Sequence, residues 1–236
     1  MKEETWLLDL AKSLGPANVD EKGRYLIAPE MPLPNSHLHL SHLHDIFPYK
    51  DVDAEADARA SVEQYLGFGK SGWAGHTLPE AACKCACVGL GDEALKCLEE
   101  FATQFTARNG FHLNYWYRDA VRRDREPNDV FTLEANLAFA RGVQELLLGG
   151  ERGRIRLFPA LPAAWNGRRV AFRDLLVPGG HRVTAVREPD GRIHGEITGF
   201  SEASVDLVFP GGCRQRVSLC RGRTERPGRP RPLKIP

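Results

Sequence analysis

The stretch FTLEANLAFARGVQELLLGGERGRIRLF, residues 131–158, changes its periodicity part-way along. Apolar residues over 133–148 recur at helical spacing, and Gly149-Gly150 is a typical helix end. Over 154–158 polar and apolar residues alternate, as they do in a strand with one buried face. The stretch therefore predicts that a helical part of the chain ends near residue 150 and that a β part follows it.

Other segments before this point also have apolar residues at helical spacing, and we predict helices over 5–14, 37–46, 54–66, 78–88 and 92–107. Residues 16–36, which include Pro29, Pro32 and Pro34, are predicted to be a loop. Helical hairpins in series are typical of helical barrels and solenoids. Five or six helices are too few to close a barrel of two concentric helical rings. Residues 1–150 are therefore predicted to form only part of such a barrel.

The segment that follows has the composition of a small β domain. Alternation recurs at 181–186, 192–197 and 204–208, and Pro189-Asp190-Gly191 is a strong hairpin-turn signal. Residues 151–212 are therefore predicted to form a small antiparallel β sandwich or sheet. The final segment, 213–236, is rich in arginine and proline and is predicted to be disordered, with a nucleic-acid-binding tail as the alternative.

The overall composition excludes several classes of protein. The 236 residues contain 32 Lys+Arg against 31 Asp+Glu, a balance that argues against a generally basic nucleic-acid binder. No stretch approaches the roughly 20 consecutive apolar residues that a transmembrane helix needs. Neither nucleic acid nor a membrane is therefore predicted as a partner. The first residues do not resemble a secretory signal, and the compartment stays open.

The cysteine cluster CKCAC at 83–87 falls within a predicted helix. Cys83 and Cys87 share a helical face and could join Cys97 or a histidine in a structural metal site. The other interpretation is that small thiols are buried between helices. We predict no metal and no disulfide.

Four histidines crowd into SHLHLSHLH, residues 36–44. Such a cluster binds a metal, binds a polar substrate through paired donors and acceptors, or packs without a direct role. His39 and His42 are three residues apart and would share a face if this segment were helical. The residue types alone leave the three explanations open.

A single carboxylate, Glu134, opens the long helical run after residue 133. The helix dipole favours an ionised carboxylate in the first turn, and a general base must be ionised. Asn136, two residues on, could hold a water or a hydroxyl. The competing interpretation is that Glu134 only stabilises the helix terminus.

Residues 110–119, GFHLNYWYRD, combine aromatic side chains with an amide and a histidine, and the candidates for a sugar site are His112, Asn114, Tyr115, Trp116 and Tyr117. Aromatic rings that stack on a sugar and amides that bond its hydroxyls suit a carbohydrate site, and Asn114 is the amide we select. Trp73, in KSGWAGH, is a similar candidate. The same side chains could instead pack a loop onto the helices.

Four segments together resemble glycoside hydrolase family 95, the α-L-fucosidases and α-L-galactosidases. HLHLSHL from His37 is similar to the family's HRHLSHL, and GWAGHTLPEAACKCACVGLGDEALKCLEEF from Gly72 is similar to its GW…A…A.LGDG..A...L stretch. FTLEANLAFARGVQELLL from Phe131 is similar to FQIDGNFGATAGIAEMLL, and IRLFPALPAAWNG from Ile155 is similar to LLPALP.AW..G. The four occur in the family's order over about residues 20–200.

The resemblance implies a mainly α fold, namely part of an (α/α)6 barrel followed by a small β domain. It implies inverting hydrolysis of an oligosaccharide or other glycoside without a cofactor, by two carboxyl groups roughly 6.5–9.5 Å apart. The family's general base is the Asp of IDGN, which falls on Glu134. The family's sugar pocket includes the histidine segment, so His37 and His39 are implied to bind substrate together with Trp73, Asn114 and Asn136.

The chain departs from the family at two positions of this motif. Glu134 is one methylene longer than the family's Asp, and Ala135 replaces a Gly, so a related subgroup with another substrate stays open as an alternative to a strict fucosidase. The family's general acid comes from a segment that precedes these motifs. We therefore expect an α-L-fucosidase-like hydrolase in truncated form, completed by an upstream half-domain if the gene is split.

Two other functions remain open. The first is a non-catalytic remnant that binds carbohydrate. The second is a helical-barrel sugar phosphorylase, whose phosphate would require basic residues, and Arg118, Arg122 and Arg123 form the local basic cluster.

Overall fold

A computed structural model describes residues 5–13, 15–52, 56–117, 131–151 and 153–226. Its helical part comes first along the chain. The α-helices described are α1 Thr5–Ser13, α2 Ala58–Gly67, α3 Thr77–Cys87, α4 Gly91–Gln104 and α5 Glu134–Leu147, and Ser41–Leu43 forms a single 3-10 turn before α2. None of the described helices is both long and apolar enough to cross a bilayer.

Helices α3 and α5 pack side by side and run in the same direction. The Sγ atom of Cys83 lies 3.5 Å from the carbonyl oxygen of Ala138. Further along both helices, by one turn on α3 and about two turns on α5, the Sγ atom of Cys87 lies 3.8 Å from Oε2 of Glu145. Because the contacts advance along both helices in the same order, the amino ends of α3 and α5 lie at the same end of the pair.

The helical part has its own buried apolar core. Aromatic side chains contribute much of it, including Tyr65, Trp73, Phe101 and Phe105. Helix α5 runs directly into the first strand of the β part, and its carboxyl end is fixed there by a hydrogen bond of 2.8 Å from Phe158 N to Leu147 O.

Two four-stranded sheets make up the β part. Their strands are β3 Leu148–Glu151, β4 Arg154–Leu157, β5 Val170–Val177, β6 His181–Arg187, β7 Ile193–Thr198, β8 Ala203–Val208, β9 Arg214–Leu219 and β10 Thr224–Glu225. The strand orders are β10-β7-β6-β5 and β3-β4-β8-β9, and a short pair of β1 His112–Leu113 with β2 Phe131–Thr132 lies in the helical part. Side chains from both four-stranded sheets share one buried core, which defines a sandwich.

The prediction of a mainly α protein with a partial (α/α)6 barrel is wrong. Helical residues make up 31% of the described chain, and the two sheets account for most of the second half. The described helices do not form a helical barrel. Residues 15–52 contain one 3-10 turn and isolated bridges, and no paired helices. The helical periodicity of the other segments therefore produces separate helices and not the double ring of helices that the resemblance implied. The architecture is α+β.

Three local predictions are also corrected. The segment 37–46 forms only the turn Ser41–Leu43 and not a helix. The sandwich is not wholly antiparallel, because β4 and β8 are parallel. Strand β9 lies within the predicted disordered end: it pairs with β8, and its Val217 and Leu219 are buried while the alternating arginines are exposed. Residues 227–236 lie outside the described residues.

Candidate functional site

The amino ends of α3 and α5 meet a loop that crosses in front of them. Gly75 N donates to the carbonyl oxygen of Tyr115 over 3.1 Å, and Tyr117 N donates to that of Trp73 over 2.9 Å. A bridge between Ala74 and Trp116 lies between these bonds. This pairing brings residues 111–117 alongside the residues that precede α3.

Imidazole rings from two distant segments meet at this end of the helices. The ring centroids of His37 and His39 are 5.7 Å apart, and those of His39 and His76 are 5.4 Å apart. The side chain of Asn114 favours the charged form of the His76 imidazole, so it opposes the fall that burial causes in the pKa of His76. His37 and His39 are both exposed, so they are open to a ligand from solvent.

Glu134 is the first residue of α5 and is exposed at the same end. Burial lowers the pKa of His76, the neighbouring His39 adds to this effect, and the carboxylate of Glu134 opposes it. Burial also lowers the pKa of His112 to about 4, again opposed by Glu134. The carboxylate of Glu134 therefore acts electrostatically on both imidazoles, and His76 in turn contacts His39.

Asn136 does not have the role predicted for it. Its Oδ1 accepts a bond of 2.9 Å from His112 N, and its Nδ2 donates over 2.8 Å to the carbonyl oxygen of Gly110. The buried ring of His112 is held from the other side by a contact of 2.7 Å between its Nδ1 and Thr132 Oγ1. The amide of Asn136 thus fixes the loop and His112 in place instead of facing a substrate.

Trp73 also has a different position from the one predicted. It is fully buried, and its ring stacks on Tyr65 with centroids 5.4 Å apart and an interplanar angle of 15°. The hydroxyl of Tyr65 donates over 2.6 Å to the carbonyl oxygen of His37. Trp73 therefore supports the histidine segment from beneath and offers no face on which a sugar could stack.

A second carboxylate, Glu80, lies on α3 close to the imidazoles. It raises the pKa of His76 and lies 3.6 Å from His44 Nε2. The buried ammonium of Lys84 bonds to its Oε1 at 2.7 Å. Burial lowers the pKa of His42 to about 4, with Lys84 adding to this effect. Glu80 is thus committed to an ion pair.

The cysteine cluster shows the geometry of packed thiols. Cys83, Cys85 and Cys97 are buried, and burial raises the pKa of the Cys97 thiol to about 12. Across the described ranges, no group of three or more His, Cys, Asp or Glu side chains is arranged to hold a metal ion. All six cysteines are free of disulfides.

No protein-family model matches the chain, and no curated protein matches it. The family resemblance therefore rests on the four sequence motifs alone and stays a prediction. Arg118, Arg122 and Arg123, on which the phosphorylase alternative depends, lie outside the described residues.

His76 is the site residue that the sequence analysis did not select. It immediately precedes α3, in the sequence GWAGHT, and nothing in that pattern identifies it as a ligand-binding or catalytic histidine. Its environment is created by pairing with a loop some forty residues away in sequence, between positions 74 and 116. The sequence offered only an indirect signal for His76. The segments 70–76 and 110–117 each combine aromatic residues with a histidine.

Gly75 provides a first test of this geometry. A Cβ atom at this position would lie 2.4 Å from His112 Nε2 and 2.8 Å from Phe105 Cδ1. Because both rings are buried, we expect Gly75→Ala to lower the free energy of unfolding by about 1–3 kcal/mol, measured by urea denaturation. Gly67→Ala is the matched control, since a Cβ there meets nothing within 4 Å. Equal stability of the two variants would contradict the described packing.

The buried ring of His112 predicts a pH dependence of stability. Its pKa falls from an ordinary 6.5 to about 4 on folding, so the unfolded chain binds the proton more readily. The contribution of the neutral ring is complete above pH 6.5 and is lost as the pH falls towards 4. We expect His112→Asn to make the pH slope of unfolding free energy shallower by up to about 1.4 kcal/mol per pH unit in that window. Parallel slopes for the two proteins would rule this out.

Proposed function

We propose that this chain carries the general-base side of a glycoside-hydrolysing site, with Glu134 as the base. The observation that carries the proposal is the position of Glu134: its carboxylate lies at the amino end of α5, within electrostatic reach of His76 and His112. His39 joins this group through its contact with His76. The four sequence motifs supply the substrate class, α-L-fucosides or α-L-galactosides.

In the proposed reaction Glu134 takes a proton from a water molecule as that water attacks the anomeric carbon. The bond to the leaving oxygen breaks on the opposite face, so the configuration inverts, and an acid must protonate that oxygen. His39, Asn114 and His76 provide donors and acceptors for sugar hydroxyls. Glu80 does not suit the role of the acid, because Lys84 already pairs with it.

The test uses a leaving group that departs without protonation, so that the base side is measured alone. We expect the wild-type chain to hydrolyse α-L-fucosyl fluoride or α-L-galactosyl fluoride and to release the β-anomer first, as seen by NMR. Fluoride release no faster than in buffer would overturn the proposal. Release of the α-anomer first would overturn the inverting mechanism.

A non-catalytic carbohydrate-binding role is the second candidate. The ion pair between Glu80 and Lys84 favours this role, because it leaves Glu80 unsuited to serve as the general acid that hydrolysis requires. Calorimetric binding of methyl α-L-fucoside without turnover of either fluoride would select this function over hydrolysis.

A further inference from the structure

The loop that crosses the site presents an aromatic side chain to solvent. Of the two tryptophans that the sequence offers as sugar platforms, Trp116 is 41% exposed, whereas Trp73 is completely buried. The bridge between Trp116 and Ala74 places the backbone of residue 116 beside the chain two residues before His76. Asn114, two residues before Trp116 in the same loop, also acts on the pKa of His76.

The neighbours of Trp116 show which way this loop faces. The ring of Tyr115 lies 5.1 Å from that of Phe105, and the ring of Tyr117 lies 6.0 Å from it. Phe105 belongs to the buried core, so both tyrosines face inward. Since successive side chains of an extended segment point to opposite sides, Trp116 faces outward.

We infer that Trp116 is the stacking platform of the site and that its ligand is a pyranose with one apolar C–H face. An indole offers a large flat apolar surface with little conformational entropy to lose on binding. The imidazole of His39 and the amide of Asn114 lie near the same edge and supply polar contacts for the hydroxyls. This combination of one aromatic face and convergent polar groups is typical of sites that bind a ring with one apolar face and polar substituents.

This inference rests on the proposed function for the choice of sugar, but it makes a separate statement about binding. Hydrolysis requires Glu134 and an attacking water, whereas stacking requires only the indole and the face of the ring. Binding and turnover are therefore measured independently.

The experiment measures binding of methyl α-L-fucopyranoside and methyl α-L-galactopyranoside to the full chain by calorimetry, with indole N–H signals followed by NMR. We expect Trp116→Ala to weaken the better ligand by roughly tenfold or more. Trp116→Phe should keep most of the affinity, because a smaller aromatic face remains. Trp6→Ala, which removes an indole 60% exposed on α1, is the matched control and should leave affinity unchanged.

The outcomes separate the two proposals. Trp116-dependent binding without turnover of the glycosyl fluorides would support the platform and overturn hydrolysis. Turnover that is unaffected in both KM and kcat by Trp116→Ala would overturn the platform and leave hydrolysis standing. Failure of the wild-type chain to bind either glycoside would overturn the platform, whatever the fluorides show.

Discussion

Replacing Glu134 with glutamine is expected to slow hydrolysis of α-L-fucosyl fluoride by about 10²–10⁴-fold, because a positioned base contributes that much to proton transfer. Glutamine keeps the shape of the side chain but cannot accept the proton of the attacking water. The effect should appear in kcat, while KM changes little, since the neutral amide still occupies the space of the carboxylate. The measurement is initial fluoride release under saturating substrate.

Two further variants make this result specific. Glu99→Gln removes an exposed carboxylate from α4 and should leave the rate unchanged. Glu134→Asp restores a carboxylate one methylene shorter, which is the side chain that the resembled family has, and should retain part of the activity. Glu134 is exposed, so its replacement should alter folding by no more than the loss of a first-turn charge, about 0.3–1 kcal/mol. A rate in Glu134→Gln equal to that of the wild-type chain would show that another group activates the water.

The sequence predicted the long local elements well and failed where local pattern was interrupted. Helix α5 was predicted over 133–148 and is observed at Glu134–Leu147, because its apolar stripe is long and Gly149-Gly150 marks its end. Strand β5, Val170–Val177, was not predicted. A bulge between Phe172 and Leu175, with Asp174 at a φ of 54°, breaks the alternation that a strand prediction needs.

Strand β9 was hidden for a different reason. Its RQRVSL pattern buries only Val217 and Leu219, and its arginine-rich surroundings have the composition of a disordered segment. Pairing with β8 supplies its stability, and such pairing cannot be seen in a local window. Tertiary context therefore decided this strand against its composition.

The candidate site was predictable in part. A carboxylate at the start of a long helix could be selected from position alone, and Glu134 is the first residue of α5 and acts on the pKa of His76 and His112. The burial of Trp73 could not be predicted, because a tryptophan in a loop motif is equally compatible with stacking on a sugar and with packing in a hydrophobic core. It depends on stacking with Tyr65, which comes from a separate helix.

Replacing Glu145 with glutamine is expected to lower the free energy of unfolding by about 3–5 kcal/mol, because it leaves a buried ammonium without its counter-charge. The carboxylate of Glu145 is completely buried and accepts two bonds of 2.7 Å from Lys50 Nζ. Lys50 Nζ also donates over 3.2 Å to the carbonyl oxygen of Gly150. Arg141 Nη2 contacts the same carboxylate but is 36% exposed, so it can return to water when the charge is removed. Urea denaturation followed by circular dichroism measures the loss.

The size of this loss depends on Lys50 remaining charged, and a double substitution tests that cause. Lys50→Met combined with Glu145→Leu removes both buried charges and should recover much of the stability, since well-packed apolar residues replace buried ion pairs at little cost. The control is Glu93→Gln, which breaks an exposed pair with Lys96 and should leave the unfolding midpoint unchanged. If Glu145→Gln proved no more harmful than this control, the buried pair would not hold the carboxyl end of α5 to strand β3. With the pair in place, the carboxyl end of α5 is tied to strand β3, at the end of the helix opposite the exposed Glu134.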